Sequence, residues 1–179
     1  RLRVLPHPGV EVLGGVTGID AHHPDWDRVA ARVRPVFGQD SVQLRPDLAP
    51  LHVAQVKKLV RAGFYDGIVF HRVIPGFMAQ TGDPTGTGRG GSQEPNVRAE
   101  FTSTPFVRGT IGAARTNDPN SANSQFFIMF AEGSFLNGQY TVWGEVVSGM
   151  EFVDQIPVGE PPRTPGRIVR AQIAADVPA

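Results

Sequence analysis

Glycine and proline cut this chain into short pieces. The 21 glycines and 16 prolines are spread among short apolar runs, which favours a turn-rich β protein over disorder. At 179 residues one domain is expected, large enough to bury about two thirds of its unfolded surface without covalent staples. Having no cysteine, the chain has no disulfide framework, no thiolate zinc site and no cysteine nucleophile. Seventeen basic residues balance seventeen acidic ones, so neither nucleic acid nor an anionic membrane is expected as a partner. No apolar run approaches the roughly 20 residues that span a bilayer, so no membrane segment is expected. The chain opens on Arg1 rather than Met, from which upstream processing, trimming or a fusion is expected.

Residues 1–40 read as an atypical N-terminal segment, and 41–179 as the main domain. Around Pro6 and Gly9 two weakly alternating runs suggest a hairpin, and Arg28-Val-Ala-Ala-Arg-Val33, after Pro24 and Asp25, suggests a short helix. His22, His23, Asp25 and Asp27 have metal-compatible side chains, but contiguous residues rarely converge on one centre; no metal site is expected. Further on, Pro50 opens a helix with Val53, Val56, Leu59 and Val60 on one face, ended by Gly63. Short strands follow at 68–73, 77–81, 109–115, 124–130, 141–147 and 168–173, after one at 42–44. Ser148-Gly-Met-Glu151 reads as a capping box that opens a second helix with Met150, Val153 and Ile156 inward. A mainly β fold is expected: a closed antiparallel barrel with a helix over each end, since closure removes sheet edges.

The stretch 70–83, Phe-His-Arg-Val-Ile-Pro-Gly-Phe-Met-Ala-Gln-Thr-Gly-Asp, carries the chemistry. It sets the fixed donor fork of Arg72 near the apolar pair Phe77 and Met78 and the carboxamide of Gln80, a surface suited to a ligand that is apolar at one end and carbonyl-rich at the other. In 124–130, Gln125, Phe127 and Met129 share one face of a strand and Phe126, Ile128 and Phe130 the other, so both faces are covered. Gly86-Thr-Gly88-Arg-Gly-Gly91 fits the spacing of dinucleotide-binding turns, but no helix follows to receive a pyrophosphate, and no nucleotide is expected.

Three motifs in order, residues 64–83, Asn120-Ser-Ala-Asn-Ser-Gln-Phe-Phe-Ile128 and Phe135-Leu-Asn-Gly-Gln-Tyr-Thr-Val-Trp-Gly144, resemble the cyclophilins, peptidyl-prolyl cis-trans isomerases, in their compact bacterial form. The resemblance covers residues 42–176 and implies an eight-stranded antiparallel β-barrel capped by two α-helices. It implies Arg72 as the catalytic arginine with Gln80 beside it, and a proline pocket of Phe77, Met78, Phe127 and Leu136. It also implies that Gln125 lies in the same groove and that Ala114, Arg115 and Thr116 meet the substrate backbone. Phe135 stands where the eukaryotic pattern has tryptophan and Tyr140 where it has histidine, which implies weak cyclosporin binding. No cofactor is implied. Proline-containing peptides and unfolded or native client proteins are the implied partners, with the chain a monomer in the cytoplasm, or in the periplasm or another compartment if processed. His71 reads as structural, because bond rotation needs no proton transfer. The competing expectation is a non-catalytic proline-peptide binding module or chaperone using the same groove. The 40 residues that stand in place of the family's first strand read equally as an insertion, a fusion junction or a replaced strand.

Overall fold

The computed structural model describes residues 28–34 and 40–176. Eight strands, β1 (Arg28–Arg34), β2 (Asp40–Leu44), β3 (Arg72–Ile74), β4 (Met78–Thr81), β5 (Thr110–Ala113), β6 (Phe126–Met129), β7 (Val142–Ser148) and β8 (Arg167–Ile173), form one sheet in the order β3-β4-β6-β5-β7-β2-β1-β8. Every ladder is antiparallel. Two helices accompany it, α1 (Pro50–Arg61) against β8 and β7, and α2 (Met150–Val153) against β1 and β2. The expected mainly β architecture with two helices is present. Closure is the part that differs: among the described residues no ladder joins β3 to β8, and the residues just before β3 reach β8 through an isolated bridge, Val69 with Arg167.

Helix α1 starts and stops on the expected signals. Pro50 holds the first position, where its missing N–H is not needed. At the other end Gly63, at φ +71°, donates to Val60 O at 3.0 Å while Phe64 N donates to Leu59 O at 3.0 Å, the paired bonds that close a helix through a left-handed residue. Val53, Val56, Leu59 and Val60 are buried as the spacing predicts, and His52 with them. The first-turn donors have no local cap; Glu100 supplies it from far along the chain, accepting Leu51 N, 49 positions away, at 3.2 Å and His52 N, 48 positions away, at 2.9 Å.

Two expectations fail for the same reason. Residues 28–33 form strand β1 rather than a helix, because the alternation of Val29, Ala31 and Val33 serves a strand equally well and the site between β2 and β8 offers a ladder on both sides. Ser148 caps nothing: it ends β7, paired with Ser41, and α2 begins after Gly149 at φ +86°. In both places tertiary pairing outweighs a local propensity worth a few tenths of a kcal/mol. Val153 and Ile156 do point inward, though α2 is only four residues long. The hairpin expected around Pro6 and the cluster of His22, His23, Asp25 and Asp27 lie outside the described residues.

Strand β6 explains why both its faces are apolar. Ile128 packs into the main core with Val73, Ala79, Ile111 and Ile168, and Phe126 lies against that core. Phe127 and Met129 face the other way, into a second cluster with Met78, Phe106, Leu136 and Val142. One face therefore fills the interior, and the other floors a surface depression.

Candidate active site

Register builds the site. Arg72 pairs with Gln80, Gln80 with Phe127, Phe127 with Gly112 and Gly112 with Val142, so one row of side chains crosses β3, β4, β6, β5 and β7 on a single face. The row runs from a guanidinium through a carboxamide to an aromatic ring. Gly112 leaves the room that ring occupies: a Cβ there would stand 2.5 Å from Phe127 Cζ and 2.7 Å from Phe106 Cε1. Between β3 and β4, Gly76 at φ +71° follows Pro75, and Phe77 N donates to Ile74 O at 3.1 Å, a tight turn that swings Phe77 over the row.

The result is a hollow of about 140 Å³ lined by Arg72, Phe77, Met78, Gln80, Ala114, Arg115, Phe127, Leu136 and Tyr140. All nine are among the twelve residues expected at the site, and the fold brings them to one hollow. Three expected site residues lie apart from it. Gln125 and Thr116 line a neighbouring, more polar hollow of about 560 Å³, which shares Gln80, Ala114 and Arg115 with the first. Phe135 stands at the rim, 64% exposed, with its ring 5.5 Å from that of Phe77. Its placement in a short helical turn, Ser134–Leu136, points Leu136 inward and leaves Phe135 out.

The polar groups are ordered by a chain of bonds with one direction. Arg72 Nη1 donates to Gln80 Oε1 at 3.3 Å, Gln80 Nε2 to Gln125 Oε1 at 2.9 Å, and Gln125 Nε2 to Gly88 O and Gly90 O at 3.0 and 2.9 Å. An arginine can only donate, which fixes the orientation of each amide behind it. The far end is anchored by Asp83, fully buried, which accepts Gly88 N at 2.7 Å and Gly90 N at 3.0 Å together with backbone and hydroxyl donors of Thr85 and Thr87. Burial alone would raise the Asp83 carboxyl, but the donors from Thr85, Gly90 and Gly88 outweigh it and hold the group well below the usual carboxylate range. The glycine-rich stretch thus does bind an anion, and the anion is the protein's own carboxylate. A Cβ on Gly90 would collide with it.

On the opposite wall Arg115 is locked. It donates to Gln139 O from Nε and Nη2, at 3.2 and 2.7 Å, and to Thr116 O from Nη1 at 2.9 Å, with its guanidinium carbon 4.5 Å from the centre of the Tyr140 ring. Tyr140 in turn meets Phe127 edge-on at 5.8 Å. His71 is 6% exposed with Nδ1 unpartnered; burial lowers its pKa, against the carboxylate of Asp83, and Arg72 adds to the lowering. It is held neutral behind the site. Sequence reading missed two contributors. Asp83 carried a signal, an Asp two residues before Thr85 in a turn-rich stretch. Glu160, which accepts Arg72 Nε at 2.9 Å, carried none, being 88 positions away in a Pro/Gly loop.

An apolar hollow beside a donor fork, on the outer face of a mainly β fold with two helices, suits a ligand that is apolar at one end and carbonyl-rich at the other. Residues 32–173 match the family model for cyclophilin type peptidyl-prolyl cis-trans isomerase/CLD. A protein of Brucella suis described as "Probable peptidyl-prolyl cis-trans isomerase" is 57% identical over 155 residues, covering 78% of this chain and 79% of its own. "Peptidyl-prolyl cis-trans isomerase-like 1" of Aspergillus oryzae is 37% identical over 151 residues, covering 78% of this chain and 92% of its own. Among solved structures, a cyclophilin from Hirschia baltica superposes with a TM-score of 0.79 at 31% identity, over 87% of this chain and 76% of that one. A cyclophilin type isomerase from Cryptosporidium parvum, solved in the presence of the dipeptide Ala-Pro, gives 0.75 at 28% identity, over 82% and 98%. The chain belongs to the cyclophilin-type peptidyl-prolyl cis-trans isomerases, and its reaction is rotation about X-Pro peptide bonds.

Proposed function

We propose that Arg72 is the donor that speeds this rotation and that the 140 Å³ hollow holds the proline ring. The X-Pro bond resists turning by roughly 20 kcal/mol because amide resonance keeps it planar. As the bond twists, the prolyl nitrogen regains a lone pair, so a donor aimed at it gains strength in the transition state and not before. The observation that carries this reading is the cross-strand row, which sets the Arg72 fork beside the ring-sized apolar floor of Phe127. Phe77, Met78 and Leu136 grip the pyrrolidine while the preceding carbonyl swings. Gln80 orients Arg72 through the bond to Nη1. The peptide continues over Ala114, Arg115 and Thr116 toward the polar hollow of Gln125, a path supported by the residues the two hollows share.

The partners on this reading are proline-bearing segments of unfolded or native proteins, met by a monomer. Cyclosporin binds weakly, because the phenyl ring of Phe135 offers no N–H donor. The same reading treats the sheet as a closed barrel, supported by Gly67 N donating to Ile168 O at 2.6 Å, Phe70 N to Gly166 O at 2.8 Å and Ile168 N to Ile68 O at 2.9 Å. Amide chemical shifts followed during titration with an Ala-Pro peptide test the site. Those of Arg72, Phe77, Ala114 and Leu136 are expected to move together; shifts confined to another face overturn the assignment.

A further inference from the structure

The loop between α2 and β8 brings a carboxylate to Arg72 by a route built into the backbone. Val73, next to Arg72, exchanges both backbone bonds with Gly159, next to Glu160: Val73 N to Gly159 O is 2.8 Å and Gly159 N to Val73 O is 3.0 Å. The two side chains leave segments already pinned together, and Glu160 Oε1 accepts Arg72 Nε at 2.9 Å. Gly159 makes the approach possible. Its φ is +147°, and a Cβ there would lie 2.5 Å from Pro162 Cα and 2.8 Å from Pro161 O.

We propose that Glu160 is a positioning residue for the isomerase reaction, holding the Arg72 guanidinium by Nε so that its remaining N–H groups serve the bound amide. The proposal rests on the reading of Arg72 as the donor. A guanidinium is a flat fork, and one bond leaves it free to pivot about that bond. The bond to Gln80 is 3.3 Å, at the long end for N–H···O, and cannot fix the plane alone. Glu160 supplies the second fixed point. Among the described residues Arg72 Nη2 has no hydrogen-bond partner, which leaves it for substrate. The pair is open to solvent, with side chains 44% and 57% exposed, so it adds little to stability and acts through geometry. Its negative charge opposes the field of Arg72 at the prolyl nitrogen. Water screening at this exposure keeps that effect below the gain from alignment, since misplacing a reacting group by about 1 Å costs up to a hundredfold in rate.

Exchange NMR on an Ala-Pro peptide, with wild type, Glu160→Ala, Glu160→Gln, Arg72→Ala and the Arg72→Ala/Glu160→Ala double variant, tests this. Glu160→Ala is expected to lower kcat about three- to tenfold with KM within about twofold. It also moves the Arg72 Nε–Hε resonance, and the melting temperature changes by less than about 3 °C. Glu160→Gln, which still offers an acceptor to Nε, recovers at least about half of the lost rate. In the Arg72→Ala background, Glu160→Ala is expected to add nothing, as a residue acting only through Arg72 must. Wild-type kcat in Glu160→Ala, or the same loss in both backgrounds, overturns the proposal while leaving Arg72 as the donor. A wild-type rate in Arg72→Ala overturns the Arg72 reading, and this proposal with it.

Discussion

Replacing Asp40 by asparagine is expected to abolish most of the loss of stability that this fold suffers as the pH rises. Asp40 opens β2, is 2% exposed, and has no hydrogen-bond partner for either carboxylate oxygen among the described residues. It borders a hollow of about 30 Å³ whose other walls include Val42, Val56, Val60, Phe70 and Trp143. Burial, helped by the negative charge of Glu151 on α2, pushes its pKa from 3.8 up to about 8. Across from it β1 presents Ala31, and the neighbouring Ser41 pairs with Ser148 of β7, so neither partner position brings a cation. Between pH 3.8 and about 8 the folded protein holds a proton that the unfolded chain has released. Stability therefore falls as the pH rises through this window, by about 1.4 kcal/mol per unit, and levels off above it. From pH 5 to pH 8 the loss is on the order of 4 kcal/mol. Asparagine keeps the shape and cannot ionise, so the stability of Asp40→Asn relative to wild type should widen by that amount. With a urea m-value of about 2 kcal/mol/M, the midpoints should separate by about 2 M more at pH 8 than at pH 5, read by tryptophan fluorescence. His52, whose pKa is lowered by burial against the pull of Glu100, weakens the fold in the opposite direction, below about pH 6.5, and cancels in the comparison. A stability difference between the two proteins that stays constant from pH 5 to pH 8 would show that Asp40 does not titrate between the folded and unfolded states in this range.

Gly112→Ala should push the rings of Phe127 and Phe106 apart, cost about 1–3 kcal/mol in stability and raise KM for proline peptides about tenfold or more. A wild-type KM in a folded variant contradicts that. Glu100→Ala takes the acceptor from Leu51 N, His52 N and His52 Nδ1, the last at 2.7 Å, and should lower stability by about 3 kcal/mol in urea unfolding at pH 7. A loss below about 0.5 kcal/mol would mean that α1 does not depend on this distant cap. Titration calorimetry with cyclosporin should give a dissociation constant in the micromolar range or weaker; nanomolar binding would show that an indole N–H at position 135 is dispensable.

What could be read in the sequence is what local chemistry specifies. Pro50 and Gly63 bound α1 because each solves a problem peculiar to a helix end. The alternation in 124–130 separated Phe127 from Ile128 correctly, since a strand allows only two faces. The pocket residues from β3, β4 and β6 came from the resemblance of their motifs to the cyclophilins and not from strand periodicity. Contacts set by tertiary pairing were not legible. Ser148 has the spacing of a cap yet is held by Ser41, and residues 28–33 have acceptable helix propensity yet fill a gap in a sheet. Phe135 and Leu136 are adjacent in the motif; the resemblance put Leu136 in the pocket, and the helical turn gives the physical reason that it turns inward while Phe135 stays out. The glycine-rich stretch was read only as a loop unsuited to a nucleotide; that its N–H groups cradle an anion, the carboxylate of Asp83 a few residues earlier, was not legible. Glu160 meets Arg72 across a loop that sequence spacing does not describe.

On the proposed reading Arg72 acts on the transition state and not on substrate affinity. Arg72→Ala, examined by exchange NMR for the rate of cis-trans interconversion and by titration for peptide affinity, tests it most directly. The rate constant on the enzyme is expected to fall about a hundredfold or more while the dissociation constant changes by less than about threefold, because the hollow of Phe77, Met78, Phe127 and Leu136 remains. A variant that isomerises the peptide at the wild-type rate, or one whose loss lies wholly in affinity, would show that Arg72 is not the transition-state donor.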